Sequence, residues 1–354
     1  LMAMFLPAQE RWSYSAEEME KTSINNQEVR RLNENVRFVK MDKVILTDNA
    51  SQYIKEDVLH LNGNTMMISG LDTLTCDSMV YWSKLDSGYA MGNVFYIQHE
   101  KDRRLSTDIF HYWQTEGYRG SSFIANGYTR IIETDRLITA NKIVYDDDLQ
   151  VMILSMNVSV EDPTRGIFGD EMEIQYVDSL VDRISVDKNA FAYNDLNLQV
   201  EKEGSYQKFR DEMTSKKMIA YFQGEYISRL ELMNMASTLY HVVDDSLLAG
   251  ENDVSGDTIR IDFQEGAINR LQVKGGGLGE FNPEGENTSI DTTIFYGGGY
   301  IDYHIDEQLT LLSQGAFMEY QDTRLSAGEI LVNWDTNILD AILTNEEYPT
   351  VQTK

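Results

Sequence analysis

One eight-residue phrase recurs along the chain and constrains its fold more than any other feature. The phrase reads aliphatic, any residue, small, Asp or Asn, any residue, apolar, any residue, Tyr. Its copies lie at 74–81 (LTCDSMVY), 105–112 (LSTDIFHY), 138–145 (ITANKIVY), 167–174 (IFGDEMEI), 254–261 (VSGDTIRI) and 325–332 (LSAGEILV). The first four copies begin 31, 33 and 29 residues apart. A period of this length predicts a repeat protein.

The side-chain pattern inside the phrase changes parity halfway. Leu74 and Cys76 are followed by Met79 and Tyr81, so the spacing between apolar positions is odd at the centre. A regular strand alternates strictly, and an odd step at Asp, Asn or Gly therefore predicts a bulge or bend in each strand.

A second half of the repeat lies between the phrases. Segments with a glycine and strand-forming residues occur at 62–64, 90–97, 126–131 and 314–320. Asp-containing turns at 71–73, 101–103, 134–136 and 321–323 lead from these segments into the next phrase. Two strand-like runs joined by a polar turn are typical of a hairpin. The predicted fold class is therefore all-β, an extended repeat of antiparallel strand pairs.

The composition excludes some classes of partner. The chain has 354 residues and a formal net charge of −28. Such a charge disfavours nucleic acid and anionic membrane surfaces. The single cysteine, Cys76, allows no intramolecular disulfide and is expected to be an inert buried thiol.

The regularity of the repeat predicts the domain organisation. Residues 1–10 are either the remnant of a signal peptide or a buried strand. Residues 11–34 form a lead-in with a weak helical pattern. The predicted divisions that follow are a first array at 35–190, an irregular region with continuing strands at 191–250, a second array at 251–345 and a frayed or truncated end at 346–354. Within the irregular region, 202–218 fits either a helix or a long polar loop, and a soft boundary is expected near 190–210.

Catalytic and metal-binding patterns are weak. The five histidines occur singly, without a zinc-ligand spacing, and are expected at exposed strand positions. No serine lies in a nucleophile elbow. The run 251–256 resembles the start of a calcium loop only faintly, because Asp262 stands where a bidentate Glu is required. We therefore predict no cofactor, no metal site and no catalytic residues.

The repeated phrase, with its glycine-containing partner strand, resembles the organic-solvent-tolerance or LptA-like family of lipopolysaccharide-transport β-jellyrolls. The resemblance covers most of 35–185 and about 254–340, and 310–316 with 325–330 is among the closest matches. It implies an open, V-shaped, slide-like jellyroll in the periplasm whose apolar interior holds lipopolysaccharide acyl chains. The family supplies either a soluble bridge between membranes or the N-terminal domain of the LptD-type outer-membrane translocon. Edge strands at the ends of the array would permit end-to-end association with other jellyroll proteins of this transport route by strand addition. The family has no catalytic residues.

The interior positions of the phrase are the predicted lipid-binding residues. An apolar slot would bind an acyl chain at roughly 0.8 kcal/mol per buried CH₂. These residues are Leu74, Met79, Tyr81, Leu105, Phe110, Tyr112, Ile138, Ile143, Tyr145, Ile167, Met172, Ile174, Val254, Ile259, Ile261, Leu325, Ile330 and Val332.

Three alternatives remain open from the sequence. The same side chains could pack on one another as an ordinary core. A stacked β-helix enzyme acting on polysaccharide also fits a period near 30 with Asp-containing turns, although no cluster of acidic and basic residues marks an active site. A structural scaffold would need no apolar slot.

Overall fold

A computed structural model describes most of the chain. The described residues are 12–114, 121–178, 180–200, 204, 206–244, 247–264, 267–284, 290–336, 338–344 and 348–353. The signal-peptide interpretation of 1–10 lies outside these residues. The chain divides into two compact units, unit 1 up to Val158 and unit 2 from Ser159 onward.

The described residues form 22 β-strands and one short 3₁₀ turn, His99–Lys101. Strands up to the division are β1 Ser13–Ser15, β2 Glu18–Ile24, β3 Gln27–Lys40, β4 Lys43–Tyr53, β5 Val58–Ser69, β6 Asp72–Trp82, β7 Ser87–Gln98, β8 Arg103–Gln114, β9 Ser121–Glu133, β10 Arg136–Asp146 and β11 Val151–Glu161, which crosses it. The remaining strands are β12 Arg165–Val177, β13 Leu180–Gln199, β14 Tyr206–Gln223, β15 Tyr226–Asp244, β16 Leu247–Gln264, β17 Ala267–Pro283, β18 Ile294–His304, β19 Leu309–Tyr320, β20 Thr323–Asn333, β21 Ile338–Ile342 and β22 Thr350–Thr353.

Sequential antiparallel pairing confirms the predicted fold class. In unit 1 each strand from β2 to β9 pairs with the next one, and in unit 2 each strand from β12 to β20 does so. The turns lie where the Asp-containing connections predicted them, as at 70–71 and 134–135. The fold is an all-β repeat of strand pairs of the β-jellyroll type.

The hairpins carry a bulge at the centre of the phrase, as its parity predicted. The register between β6 and β7 shifts between Thr75 and Ser78. On the partner strand, Gly92 (φ +74°) and Asn93 (φ +47°) are left-handed, and Asn93 Nδ2 donates to Asp77 Oδ2 at 2.9 Å. Residues that tolerate this conformation are therefore needed in the partner strand, which explains its glycine.

The bulges bend the strands of unit 1, so that the two halves of each strand face one another. We call the half of the sheet next to the turns at 54–57 and 83–86 half A, and the half next to 70–71 and 99–102 half B. Tyr96 in half B lies 5.2 Å, between ring centroids, from Phe110 in half A. The core lies between the two halves.

Two expectations of local structure in the irregular regions, a helical pattern at 11–34 and a helix or loop at 202–218, are wrong. The weak helical pattern at 11–34 belongs to strands β2 and β3, because their exposed outer residues mimic a helical spacing. The segment 202–218, expected as helix or loop, falls largely in β14, which pairs with β13 along 183–199. The last described residues include β22, which pairs with β20. The division between the two units, after Val158, precedes the region near 190–210 where the sequence predicted a boundary.

The two glycine clusters lie at bulges. A Cβ on Gly277 would approach Ile301 Cδ1 to 2.8 Å, and one on Gly297 would approach the Gly277 carbonyl oxygen to 2.6 Å. Close approach of strands therefore explains both clusters. Among the residues described, no helix has the length and apolar character needed to cross a membrane.

Candidate functional site

The eighteen predicted interior residues are placed on inward-facing positions of the strands. Sixteen of them are buried, and Ile167 and Leu325 are half-buried. Their burial is compatible both with a packed core and with a lipid slot, and their role in lipid binding therefore stays a prediction.

Most of the unit 1 interior is filled. Phe110 is fully buried and lies at ring-centroid distances of 5.3 Å from Phe123 and 6.1 Å from Tyr112. Close packing of this kind leaves no room for a further chain unless the two halves separate.

A cleft remains open where the edges of the two halves meet in unit 1. It has a volume of about 500 Å³, within the range of roughly 300–1,000 Å³ typical of small-molecule sites. Its floor consists of Met67, Leu74, Tyr81, Tyr96 and Tyr112. Its rim consists of Lys40, Met41, Asp42, Lys43, Ser69, Gly70, Leu71, Asp72, Ser83, Asp86, Glu100, Gln114 and Ser121. Of the predicted interior residues, Leu74, Tyr81 and Tyr112 line this cleft.

The tyrosine hydroxyls of the floor are engaged by hydrogen bonds, and the floor side chains are nearly buried in the closed structure. Tyr81 Oη donates to Asp86 Oδ1 and Tyr96 Oη donates to Asp72 Oδ2, each at 2.9 Å. Tyr112 Oη donates to Met67 Sδ at 3.2 Å. Burial raises the pKa of all three phenols, so they stay protonated and uncharged.

An ion pair spans the mouth of the cleft. Lys43, at the start of β4 in half B, pairs with Asp86, at the half A end of β7. Both side chains are partly exposed, at 18% and 30%. The pair therefore links the two halves at the surface and partly covers the floor.

Lys40 is a second cation on the rim. Its Nζ donates to Ser83 Oγ at 3.3 Å, and it lies 5.7 Å from the ring centroid of Trp12. The Trp12 indole itself donates to Ser83 Oγ at 2.8 Å. Its ring lies edge-on to Tyr81, with centroids 6.0 Å apart. Trp12 and Ser83 thus hold Lys40 at the rim.

The edge is closed further along unit 1. Tyr145 lies under Lys101, 4.8 Å from its Nζ, and under Arg103, 4.6 Å from its Cζ. Arg103 pairs with Glu133 at 2.7 Å and Lys101 pairs with Asp147 at 2.5 Å. These side chains cover the interior at β8–β10, which leaves the β4–β8 region as the accessible part.

The rim mixes both signs of charge. Burial raises the pKa of Asp72, against the hydrogen bond from Tyr96. Asp42, Asp86 and Glu100 add further acidic groups beside the two lysines. An anionic ligand group would therefore be directed towards Lys40 and Lys43, away from the acidic part of the rim.

Two of the five floor residues were not predicted from the sequence. Met67 and Tyr96 lie on the partner strands, whereas the predicted set contained residues of the phrase only. The signal was available, because β7 also alternates through Val94 and Tyr96. The rim pair Lys43 and Asp86 had no such signal, because 43 residues separate its members.

Other candidate chemical groups have structural roles. Within the described ranges, no group of three or more His, Cys, Asp and Glu side chains is arranged to hold a metal ion. The calcium-loop resemblance at 251–256 lies inside strand β16, where it cannot form a loop. Burial raises the pKa of the Cys76 thiol to about 12, which makes it unreactive.

His241 is an exception to the predicted exposure of the histidines. Its side chain is only 6% exposed, and its Nδ1 lies 2.9 Å from Asp211 Oδ1. The same Asp211 oxygen accepts the His241 backbone N–H at 3.0 Å. Burial raises the pKa of Asp211. This pair joins β14 to β15.

Comparisons with known proteins give likenesses to solved structures only. No family model matches the chain. No curated protein matches it either. Among solved structures, the chain is similar to LptH of Pseudomonas aeruginosa, the LptA-homologous periplasmic component of its lipopolysaccharide-transport device. That likeness has a TM-score of 0.25 and 8% identity, and it covers 62% of this chain and 94% of LptH. A TM-score this low carries no argument about fold or function.

Proposed function

We propose that the protein is a non-enzymatic carrier of lipopolysaccharide or a related glycolipid. The acyl chains of the glycolipid enter unit 1 through the cleft. The observation that carries the proposal is the amphipathic character of the cleft. Its floor is made of tyrosine rings, Leu74 and Met67, and its rim carries Lys40 and Lys43. An apolar floor beneath a rim that holds two lysines among its charged groups fits a molecule with an acyl chain and an anionic headgroup, provided that the headgroup lies at the lysines and away from Asp42, Asp72 and Glu100.

The floor supports binding without fixing the position of the chain. Its tyrosine hydroxyls are already hydrogen-bonded, and a hydrocarbon chain would contact ring faces and aliphatic groups. Each buried CH₂ would contribute about 0.8 kcal/mol. Such contacts have no preferred register along the chain, which allows sliding and suits transport.

Deeper entry requires a conformational change. The residues beyond the floor, such as Phe110 and Ile143, are fully buried. The halves of unit 1 therefore separate as the acyl chain enters, and the Lys43–Asp86 pair opens first. The remaining predicted interior residues would contact lipid only in that opened state.

We also propose a periplasmic location and other jellyroll proteins as partners. The repeated phrase resembles periplasmic lipopolysaccharide-transport jellyrolls, and this resemblance supports a periplasmic protein that acts beside the outer membrane. It also supports end-to-end association with other jellyroll proteins of that transport route by strand addition. Within the proposal, the protein is either a free bridge or a domain of the outer-membrane translocon.

Site-specific photo-crosslinking to lipopolysaccharide tests the proposal. A photoreactive phenylalanine is placed at Tyr112 in the floor, at Phe110 in the deeper interior, and at Thr75 as an outward-facing control next to Leu74. We expect adducts at Tyr112, fewer at Phe110 and none at Thr75. Lipopolysaccharide lacking its acyl chains should give no adducts at Tyr112. Equal labelling at Thr75 and Tyr112, or none at either, contradicts the proposal and favours a filled structural core.

A further inference from the structure

A band of aromatic side chains crosses the outer surface of half A in unit 1. We call it the aromatic band, and its members are Tyr53, His60, Trp82, Tyr89, His111 and Trp113. Five of its rings are in contact with one another, in two groups, and Trp82 lies between the groups in the strand order. Tyr53 and His60 lie 4.9 Å apart, Tyr89 and His111 6.1 Å, and His111 and Trp113 5.4 Å, measured between ring centroids.

The strand register places three of these rings at one level. Tyr53 pairs with Val58, Val58 with Trp82, Trp82 with Ser87, and Ser87 with Trp113. Tyr53, Trp82 and Trp113 therefore lie on every second strand, about 9.6 Å apart at a strand spacing of about 4.8 Å. The residues between them, Val58 and Ser87, have smaller side chains. This spacing is close to the length of a disaccharide unit in an extended saccharide chain.

The outward rows that contain and adjoin the band carry no carboxylates. Three such rows cross strands β4 to β9, and none of their residues is Asp or Glu. The rows are Tyr53, Val58, Trp82, Ser87, Trp113 and Ser122, then Ser51, His60, Val80, Tyr89, His111 and Ile124, then Asn49, Asn62, Ser78, Met91, Ile109 and Asn126. In a chain with a net charge of −28, these three rows add no negative charge of their own, although the exposed carboxylates of Asp48, Asp77 and Asp108 border the third row, and the rows are therefore best matched to an uncharged ligand group.

The row next to the band supplies hydrogen-bonding groups. Asn49 and Asn62 are exposed, and Asn126 is half-buried. Each side-chain amide both donates and accepts hydrogen bonds, as sugar hydroxyls do. A flat surface with ring faces in one row and amides in another is therefore matched to a molecule that has apolar C–H faces and hydroxyl edges.

The band also adjoins the cleft. Tyr81 lies in the floor, Ser83 lies on the rim, and Trp82 between them points to the outer surface. A ligand that leaves the cleft over the turn at 83–86 therefore meets Trp82. Trp113 lies two strands further along the same level.

We propose that the aromatic band binds the saccharide portion of a glycolipid, with sugar rings resting on Tyr53, Trp82 and Trp113. This inference rests on the proposed function for the source of the saccharide, because it assigns the acyl chains to the cleft and the sugars to the band. Aromatic residues also occur at bilayer surfaces. The formal net charge of −28 disfavours an anionic bilayer surface, and the saccharide is therefore favoured.

The test measures binding of lipid-free glycan released from lipopolysaccharide by mild acid, by calorimetry on the full chain. The band variant is Trp82→Ala with Trp113→Ala. The matched control is Leu46→Ala with Phe95→Ala, because both residues are exposed on the outer surface of half B, at 36% and 40%. We expect the band variant to bind glycan at least about tenfold more weakly, since two ring contacts are lost. The control should bind like the wild type.

A conservative variant keeps the test informative if the alanine variant misfolds. Trp82→Phe with Trp113→Phe retains ring faces and should retain most of the binding. Binding of the glycan by the band variant at wild-type strength overturns the inference, and so does absence of glycan binding by the wild type. Loss of binding to phosphatidylglycerol vesicles without loss of glycan binding also overturns it, in favour of a bilayer surface.

The failure of this inference differs from failure of the proposed function. Crosslinking at Tyr112 without glycan binding overturns the band alone. Glycan binding by the band without any crosslinking at Tyr112 overturns the lipid carrier, and the band then remains a site for saccharide that is not lipid-linked.

Discussion

The two units use the same phrase in the interior and different residues outside. Position six of the phrase is buried in both, as Met79 in unit 1 and Ile259 in unit 2. The residue directly after the phrase, which we call position nine, points outward, and its identity differs between the copies. It is Trp82 and Trp113 after two copies in unit 1 and Asp146 after the third, whereas it is Asp262 after the copy at 254–261 in unit 2.

Ion pairs cover the outer surface of unit 2. Asp262 Oδ1 accepts from Arg229 Nε at 3.0 Å, and Arg260 also contacts this carboxylate. Arg270 binds Asp302 through two nitrogens, at 2.7 and 2.5 Å. The fold therefore fixes the inner positions of the phrase and leaves the outer ones free. In unit 2 these outer positions carry charged side chains that form ion pairs across the strands. In unit 1 the outer positions of the aromatic band carry rings.

Truncation of the shared interior should give the largest effect. Phe110→Ala in unit 1 should cost about 3–5 kcal/mol of unfolding free energy, and Ile259→Ala in unit 2 about 2–5 kcal/mol, because both side chains are fully buried. Urea unfolding followed by circular dichroism measures both. Phe95→Ala, on the outer surface, is the control and should cost far less. A cost below about 1 kcal/mol for Phe110→Ala would show that the unit 1 interior is loose, and the comparison between similar cores would then fail.

The bulge should give a smaller effect that is equal in the two units. Gly92 (φ +74°) and Gly275 (φ +81°) occupy corresponding bulge positions, and a Cβ on either would clash with Oδ2 of Asp77 or Asp257. Alanine at each site should cost about 1–2 kcal/mol from the left-handed backbone alone, and more from the clash.

Gly224→Ala separates these two causes. Gly224 also has a positive φ, +66°, but a Cβ there would meet nothing within 4 Å. Gly224→Ala should therefore lower the free energy of unfolding by less than either bulge variant does in the same urea experiment. Equal costs at Gly224 and Gly92 would mean that the Asp contact has no role in the bulge.

Features that repeat along the chain could be predicted from the sequence. The parity change within the phrase predicted the bulges, because a bulge keeps Leu74 and Tyr81 on one side of a strand. The inner positions followed from the same alternation. The part of β14 at 206–217 was not predicted as a strand, because it carries charged side chains such as Arg210, Glu212 and Lys216 on its outer positions.

Features that depend on contacts across the bend could not be predicted. Lys43 and Asp86 meet only because the halves of unit 1 face one another, and no local pattern encodes that meeting. The aromatic band was visible as separate residues, since Trp82 and Trp113 each follow a copy of the phrase. Its continuity depends on strand register, which the sequence alone does not align.

Removal of an outer carboxylate in unit 2 should have a moderate, pH-dependent effect. Burial acts to raise the pKa of Asp302, but hydrogen bonds from Arg270, Tyr300 and Gln272 outweigh it and the pKa is lowered. Asp302→Asn should cost about 1–2 kcal/mol at neutral pH, because it weakens a charged hydrogen-bonded pair. A carboxyl with a lowered folded-state pKa stabilises the fold above its ordinary pKa, and this contribution is lost as the pH falls through the lowered value.

Urea midpoints measured across the acid range check both the cost and its sign. The wild type and Asp302→Asn should differ at neutral pH and converge once the pH is below the lowered pKa of Asp302. The variant Asp86→Asn, in unit 1, is a useful counterpart because it removes a rim carboxylate whose lysine partner is partly exposed. A difference for Asp302→Asn that persists in acid would place its effect in packing and not in charge.

The smallest change in stability, and the most informative for function, is expected from Lys43→Ala. The Lys43–Asp86 pair is partly exposed, so its loss should cost less than about 1 kcal/mol. Because the pair spans the mouth of the cleft, its loss should raise the initial rate at which a long-chain fatty alcohol, which has no anionic group for Lys43 to attract, crosslinks at Tyr112. Lys188→Ala removes an exposed ion pair with Glu171 in unit 2 and should leave that rate unchanged. A rate at Tyr112 that is the same in Lys43→Ala as in the wild type would show that the pair does not control entry, and the first opening step would have to lie elsewhere on the rim.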